Sequence, residues 1–383
     1  MKREHTICLC MIVKDEEADI QRCLDSVAPY IDYWVISDTG SSDNTMQKIQ
    51  EIMDSHGIPG ELHEHKWEDF STNRNHVIKL ARSKADYLWF MDADDDFVSY
   101  VEDPFVALDD ETDMWLMRYE LNNGTKFQRQ CLFHSKKPVV YHCVFHEFLS
   151  FEDLSMIGKE TRGMIGECMI YARSSPLKRA PDKKTKYRND AKTIKKAMKD
   201  PSTDERFMPR YQYYLGMSYQ EAGDLERAIT EYKKRLNFGS RGNKDNEIYL
   251  SLKGIADIKK SLHKNNKKYK EFDVIDSYLT IWEYFPTRIE PIVQLMDFLF
   301  HKRRFLLALM IAELPAKVAV ADEDDVLHTA ADYTYNFPAQ YAACAVEAGF
   351  KDFAIKTAES ALERLEGKEK EYMSGLLESI KEL

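Results

Sequence analysis

A hydrophobic run, Tyr87, Leu88, Trp89, Phe90 and Met91, ends in the carboxylates Asp92, Asp94, Asp95 and Asp96. Carboxylates packed this closely repel one another and raise each other's pKa unless a positive charge neutralises them. A divalent cation is the economical counter-charge. Mg2+ or Mn2+ fits a cluster at an open strand end, because Mg2+ takes one or two protein carboxylates and keeps its other positions for water and substrate phosphates. Asp-x-Asp after a buried strand therefore points to a nucleotide-diphosphate site. A solvated acidic loop is the plain alternative. A calcium loop of the helix-loop-helix type is another, since Asp92, Asp94 and Asp96 alternate correctly and Asp103 falls at the twelfth position. Phe97, however, occupies the sixth position, where that loop turns on Gly.

Three further groups carry chemistry. In DTGSSDNT, Asp38 and Thr39 end a strand and Gly40 and Ser41 give a tight turn, with Asp43 or Asn44 available as a helix cap. In WEDFSTNRN, Arg74 and Asn75 lie near a helix start, where a guanidinium grips a phosphate or a base edge if it is not simply solvated. In YHCVFHEF, read as a regular strand, His142 and His146 share one face and Glu147 points to the other. His146 is then a candidate metal ligand and Glu147 a candidate general base.

The elements that must position these groups alternate strand and helix. Thr6 to Val13 reads as a buried strand, followed by a helical pattern in Ile20, Cys23, Leu24 and Val27. Tyr33 to Ser37 is a second strand, and Met46, Ile49, Ile52 and Met53 mark a second helix face. A third helix runs from about Ser71 through Val77, Ile78, Leu80 and Ala81, ahead of the strand before the aspartates. This βαβα order predicts a parallel, doubly wound sheet with ligands at the carboxyl ends of its strands, where Asp38 and Asp92 both lie. From Asp113 to about Tyr171 the pattern changes to strands and turns without a long amphipathic helix, the mixed, acceptor-facing part of the same domain.

Bulk properties narrow the class. The 383 residues allow two domains, and 44% hydrophobic content supports real cores. A net charge of −11 argues against a general nucleic-acid binder. The seven cysteines, an odd and scattered set without paired metal spacing, read as reduced thiols of a cytoplasmic protein, with Cys8 and Cys10 on one face of a core strand. Lys2 and Arg3 precede an apolar run, but that run meets Lys14, Asp15, Glu16 and Glu17 without a cleavage site, so it reads as a strand rather than a secretory signal. No stretch approaches the roughly 20 apolar residues of a transmembrane helix.

Past Tyr171 the composition shifts. Pro176 and Pro181 break structure, and Lys183, Lys184, Lys186, Arg188, Lys192, Lys195, Lys196 and Lys199 then give a strongly basic helix, either a solvated linker or a source of cations for a leaving diphosphate. Beyond it, Leu215, Gly216, Tyr219, Ala228 and Tyr232 fall on tetratricopeptide spacing, a period of roughly 34. Weaker echoes follow at Leu295, Leu299 and Ala308 with Pro315 behind them, then at Ala342, Ala354, Ala358 and Ala361. Stacked helical hairpins are expected, since a single repeat cannot bury its own apolar face. The expected domains are 1–175, a basic linker helix over 176–204, and a helical repeat domain over 205–383.

Taken together, the opening strand followed by VKDEE, then DTGSSDNT, DFSTNRN, FMDADDD and a strand ending in HE, resembles the inverting glycosyltransferases of family 2 with the GT-A fold. With tetratricopeptide repeats behind it, the chain is similar to the sublancin-type peptide S-glycosyltransferase group. The resemblance implies a GT-A domain followed by an all-α repeat domain, and Mn2+ or Mg2+ as cofactor. It implies donor contacts at Val13, Asp15, Glu17, Asp38, Thr39, Arg74, Asn75, Asp92 and Ala93, and metal contacts at Asp92 and Asp94. His146 is added to the metal set from its position, and Glu147, with Asp95 in reserve, is nominated as the base. The partners expected are a nucleotide sugar, UDP-linked by family preference, a peptide or protein acceptor, and a second copy of the chain through the repeats. A growing surface glycan as acceptor, and a scaffold with a degenerate transferase half, are the competing readings. Many members carry Arg-x-Phe-Arg before the HE motif, whereas here Cys131 and His134 flank Leu132 and Phe133 and Arg129 lies upstream.

Overall fold

The computed structural model describes residues 3–122, 126–173, 182–239, 246–266, 268–319 and 331–382. Two compact units result, Met1–Asp182 and Lys183–Leu383. Pro176 and Pro181, and with them the expected 175/176 boundary, lie outside the described residues.

The first unit contains β1 (Ile7–Val13), α1 (Ile20–Val27), β2 (Tyr33–Asp38), α2 (Thr45–His56), β3 (Gly60–Glu64), α3 (Phe70–Ala81), β4 (Tyr87–Phe90), β5 (Asp95–Ser99), β6 (Met114–Leu121), β7 (Lys126–His134), β8 (Val139–His142), β9 (Phe148–Phe151) and β10 (Arg162–Ala172). Eight strands form one sheet in the order β3-β2-β1-β4-β7-β6-β10-β5, and β8 and β9 pair separately. β1 lies between β2 and β4, parallel to both. Its Ile7, Leu9, Met11 and Val13 join the core built with α1, while Cys8 and Cys10 join Val77, Ile78 and Ala81 of α3. Cover on both faces is why this strand is a continuous apolar run. Burial, with Cys8 alongside, pushes the Cys10 thiol well up, as expected of an inert core cysteine.

The doubly wound parallel arrangement holds only for β3-β2-β1-β4. β7 runs antiparallel to β4 and to β6, and β10 is parallel to β6 but antiparallel to β5. Parallel neighbours need long crossovers, whereas antiparallel ones can follow a tight turn. Between β4 and β10 the described residues hold no α-helix to spend on crossovers, so the sheet becomes mixed. The architecture is GT-A-like, followed by helical repeats.

Three features depart from the pattern read in the sequence. β3 escapes it, because an edge strand of partly exposed residues has no apolar signature; Gly60 opens it where a Cβ would stand 2.2 Å from the Trp34 ring. β5 starts inside the acidic run, at Asp95. The HE segment is not one regular strand: β8 ends at His142, and Cys143 and His146 adopt φ of 71° and 51° in the turn before β9. The expected face-sharing of His142 and His146 therefore fails. His142 Nε2 instead hydrogen-bonds the Phe151 carbonyl at 2.8 Å.

The second unit comprises α4 (Lys183–Lys199), α5 (Met208–Glu221), α6 (Leu225–Leu236), α7 (Asn246–Asn266), α8 (Glu271–Tyr284), α9 (Glu290–His301), α10 (Phe305–Ala312), α11 (Pro315–Val318), α12 (Phe337–Glu347), α13 (Lys351–Leu362) and α14 (Gly367–Glu382). Its packing follows the large-small alternation of the sequence. Tyr232 of α6 is wedged between Gly216 of α5 and Gly254 of α7, where added Cβ atoms would lie 2.6 Å from its ring on each side. Ala308, Ala342, Ala354, Ala358 and Ala361 are buried at the later repeat positions. Among the described residues no helix is long and apolar enough to cross a membrane.

Candidate active site

α3 is anchored before it reaches the site. Asp69 caps it, accepting from the Thr72 amide at 2.8 Å, and Asn73 bridges the Glu68 amide and the Lys66 carbonyl. One turn on, Arg74 is buried and donates from Nη2 to Asp92 Oδ1 at 2.6 Å and from Nε to Glu147 Oε1 at 3.0 Å. Arg129 of β7 donates from Nη1 to Asp92 Oδ2 at 2.9 Å and lies 3.9 Å from Glu147. Two guanidiniums and two carboxylates thus balance in charge. The Tyr141 and Tyr119 rings lie beneath Arg74 and Arg129, at 5.3 and 5.7 Å. Burial works to raise the Asp92 carboxyl, but the two arginines outweigh it and hold it well below the usual carboxylate range.

Asp95 and Asp96 are not solvated. Asp96 is clamped by Arg22 of α1 and by Arg173 Nε, the latter at 2.9 Å, and Arg22 also donates to the Asp94 carbonyl at 2.8 Å. Asp95 is buried, and burial followed by the Asp92 and Asp94 charges pushes it up to about 8, so it carries a proton at neutral pH. Protein cations therefore meet much of the charge that the sequence alone seemed to leave to a metal. Among the described residues no group of three or more His, Cys, Asp or Glu side chains converges on a metal position. Asp92, Asp94 and His146 do not form such a set; the His146 ring stands edge-on to Phe145 at 4.6 Å. A hard cation that keeps most of its shell on water and phosphate needs few protein ligands, and the partly exposed Asp94 is the carboxylate of the run that could offer one.

At the neighbouring strand ends, the Val13 carbonyl accepts from the Thr39 amide and hydroxyl at 2.9 and 3.0 Å. Asp38 Oδ1 accepts from the amides of Gly40 and Ser41, each at 2.8 Å. Asp38 Oδ2 and Arg74 Nη1 are buried without a partner. Asp15, at φ 53°, accepts from Ser42, and Glu17 accepts from Asn44, so these two carboxylates tie the β1–α1 turn to the β2–α2 turn. The Asn75 amide is fully used on Tyr141, donating to its carbonyl at 2.8 Å and accepting from its N–H at 2.7 Å. Ala93 is buried in the turn after β4. Arg129, Arg22 and Arg173 are the residues that sequence reasoning missed. For Arg129 the signal was present, as a lone Arg upstream of the position the family pattern favours. Arg22 gave none, being a polar residue on an ordinary amphipathic helix.

Residues 8–175 match the sequence model of glycosyl transferase family 2, over nearly the whole first unit. A TPR repeat-containing protein of Synechococcus elongatus is 28% identical over 167 residues, covering 40% of this chain. The match spans 38% of that relative's own length. Among solved structures, residues 1–349 of S. aureus TarS superpose with a TM-score of 0.36 at 12% identity, over 73% of this chain and 90% of that one. The mannosyltransferase PcManGT of Pyrobaculum calidifontis, in complex with GDP-Man and Mn2+, gives 0.34 at 13%, over 74% and 85%. A thermophilic TPR protein of Thermus thermophilus gives 0.31 at 14%, over 52% and 92%. These superpositions are too loose to carry an assignment; by sequence, the first unit is similar to glycosyl transferase family 2.

Proposed function

We propose that the chain is a metal-dependent, inverting glycosyltransferase that moves a sugar from a UDP-linked donor to a peptide or protein side chain. The observation that carries this reading is the pair of buried, unpartnered polar atoms, Asp38 Oδ2 and Arg74 Nη1. Leaving such groups unsatisfied costs about 1–3 kcal/mol each, a cost that a ligand removes on binding. An acceptor on Asp38 and a donor on Arg74 would each suit a polar ligand group, and a base edge with N–H beside C=O, as in uracil, offers both kinds. Asp92 and Ala93 would then border the ribose, and Asp94 the diphosphate. A bound Mg2+ or Mn2+ would supply Lewis-acid stabilisation of the leaving diphosphate.

In the proposed step the acceptor heteroatom bonds to the anomeric carbon as the bond to the diphosphate oxygen breaks, and the acceptor proton passes to a carboxylate. Glu147 is the favoured base. Asp95 is the reserve, and being buried and protonated it could act as a base only after losing that proton. A base of this kind contributes on the order of 10²- to 10⁴-fold. The peptide acceptor follows from the sequence resemblance, and seven buried free thiols support a cytoplasmic, reducing location. Pairing of two copies through the repeats is supported by exposed apolar residues, Leu306, Met310, Leu314 and Val318, on α10, α11 and the turn between them.

Calorimetric titration with UDP, CDP, ADP and GDP in the presence of Mn2+ tests the donor reading. Asp38→Asn keeps an oxygen for the Gly40 and Ser41 amides but replaces Oδ2 by a donor, and should weaken UDP by about 10- to 100-fold. Absence of UDP binding, or an Asn variant that binds as well as wild type, would sink it.

A further inference from the structure

The basic helix that the sequence singled out presents one charged face. Lys184, Arg188, Lys192, Lys195, Lys196 and Lys199 of α4 are all exposed. At about 100° and 1.5 Å per residue they share an arc of about 120° and a length of about 22 Å. Ala191, Ile194 and Ala197 are the buried residues of the helix and lie outside that arc, and α4 packs on α5. The cations that do find carboxylates are Lys183 with Glu221, Lys186 with Asp190, and Arg188 with Asp224. Lys184, Lys192, Lys195, Lys196 and Lys199 have no carboxylate within 4.0 Å among the described residues. Lys195 instead rests over the Tyr219 ring at 5.4 Å.

In a chain of net charge −11, surface acids are abundant, yet this face has drawn almost none of them. Like charges held in one patch repel, and an anionic partner relieves that repulsion. Its shape discriminates between partners. Cations spread over a third of the helix circumference are several rows wide, so an extended anionic strand would meet only one row, while a surface of mobile headgroups meets them all. No apolar side chain lies in the arc, so the contact would be electrostatic, without insertion. We propose that this face of α4 docks the chain on an anionic phospholipid surface.

The test is co-sedimentation of the full chain with phosphatidylcholine vesicles, with and without about 30% phosphatidylglycerol, an acidic lipid content of the kind that attracts basic segments. Binding should require the anionic lipid and should fade toward about 0.5 M salt, where the screening length falls to about 4 Å. Each Lys near such a surface contributes about fivefold in affinity, so Lys192→Gln, Lys196→Gln and Lys199→Gln together should cost about a hundredfold. The same charge change at Lys302, Lys368 and Lys370, which are exposed on other helices or turns, should leave binding nearly unchanged. Far-ultraviolet circular dichroism confirms that each variant is folded. Wild type that ignores anionic vesicles, or equal losses in the two triple variants, overturns the proposal. So does binding to polyglutamate without binding to vesicles, which would assign the face to an acidic polypeptide.

Discussion

Replacing Arg74 by Met removes the guanidinium that holds Asp92 at 2.6 Å and Glu147 at 3.0 Å. The Arg74 side chain is 4% exposed and that of Glu147 10%, so the pair sits largely out of water. Breaking a buried pair by removing one partner costs about 3–5 kcal/mol. Asp92, 34% exposed, can rehydrate and keeps Arg129, which moves the expectation to the lower end, about 3 kcal/mol. For a domain of this size each kcal/mol shifts Tm by about 2–4 °C, so the first unit should melt about 6–12 °C lower. Arg129→Met is the internal comparison. Its side chain is 29% exposed and meets a carboxylate exposed by a third, so solvent screening leaves about 1 kcal/mol at most. Scanning calorimetry at neutral pH and low salt reads both. Asp92 is held low in the folded state, so the advantage of wild type over Arg74→Met is fully present above the ordinary carboxylate pKa, near 4, and is lost as pH falls below it. Equal destabilisation by the two variants, or a gap that widens in acid, would refute this account of the charge cluster.

Asp94→Asn should abolish metal-dependent hydrolysis of the sugar nucleotide while leaving the melting temperature unchanged; activity equal to wild type removes Asp94 from the metal site. Glu147→Gln should bind UDP almost normally yet lose about 10²- to 10⁴-fold in transfer, and surviving turnover would hand the base role to another carboxylate. In the helical unit, Gly216→Ala forces a methyl against a Tyr232 ring that Gly254 blocks from behind, so about 1–3 kcal/mol of stability should be lost. Gly375→Ala, with nothing within 4 Å of the added Cβ, should be neutral or stabilising by up to about 1 kcal/mol, and equal melting of the two variants would contradict the wedge.

What the sequence disclosed follows from which forces leave a local trace. β1, β2 and β4 were legible because strands covered on both faces must be apolar throughout. The repeat positions Gly216, Ala228 and Tyr232 were legible because close helix packing restricts residue size. β3 was hidden because an edge strand tolerates Glu61, His63 and Glu64 at water. β5 was hidden by its own charges, since burial of Asp96 depends on Arg22 and Arg173, far away in sequence. The balance of the candidate site was hidden for the same reason: Arg129 and Asp92 are 37 residues apart, and Arg74 and Glu147 are 73. The turn that separates His142 from His146 rests on left-handed backbone at Cys143 and His146, which neither residue type announces.

The Asp96 clamp also has a bearing on how the first unit is made. It joins Arg22, near the start of the unit, to Arg173, near its end, across separations of 74 and 77 residues. Contacts that span so much chain form late, because loop-closure entropy must be met before they return any stabilisation. During synthesis the aspartate turn can have its core strand and Arg22 in place, yet it lacks its second guanidinium until residue 173 has left the ribosome. Fragments truncated before that point should keep the β1–β2–β4 core and hold the acidic turn loosely, so the order of synthesis leaves the candidate catalytic segment among the last parts of the unit to set.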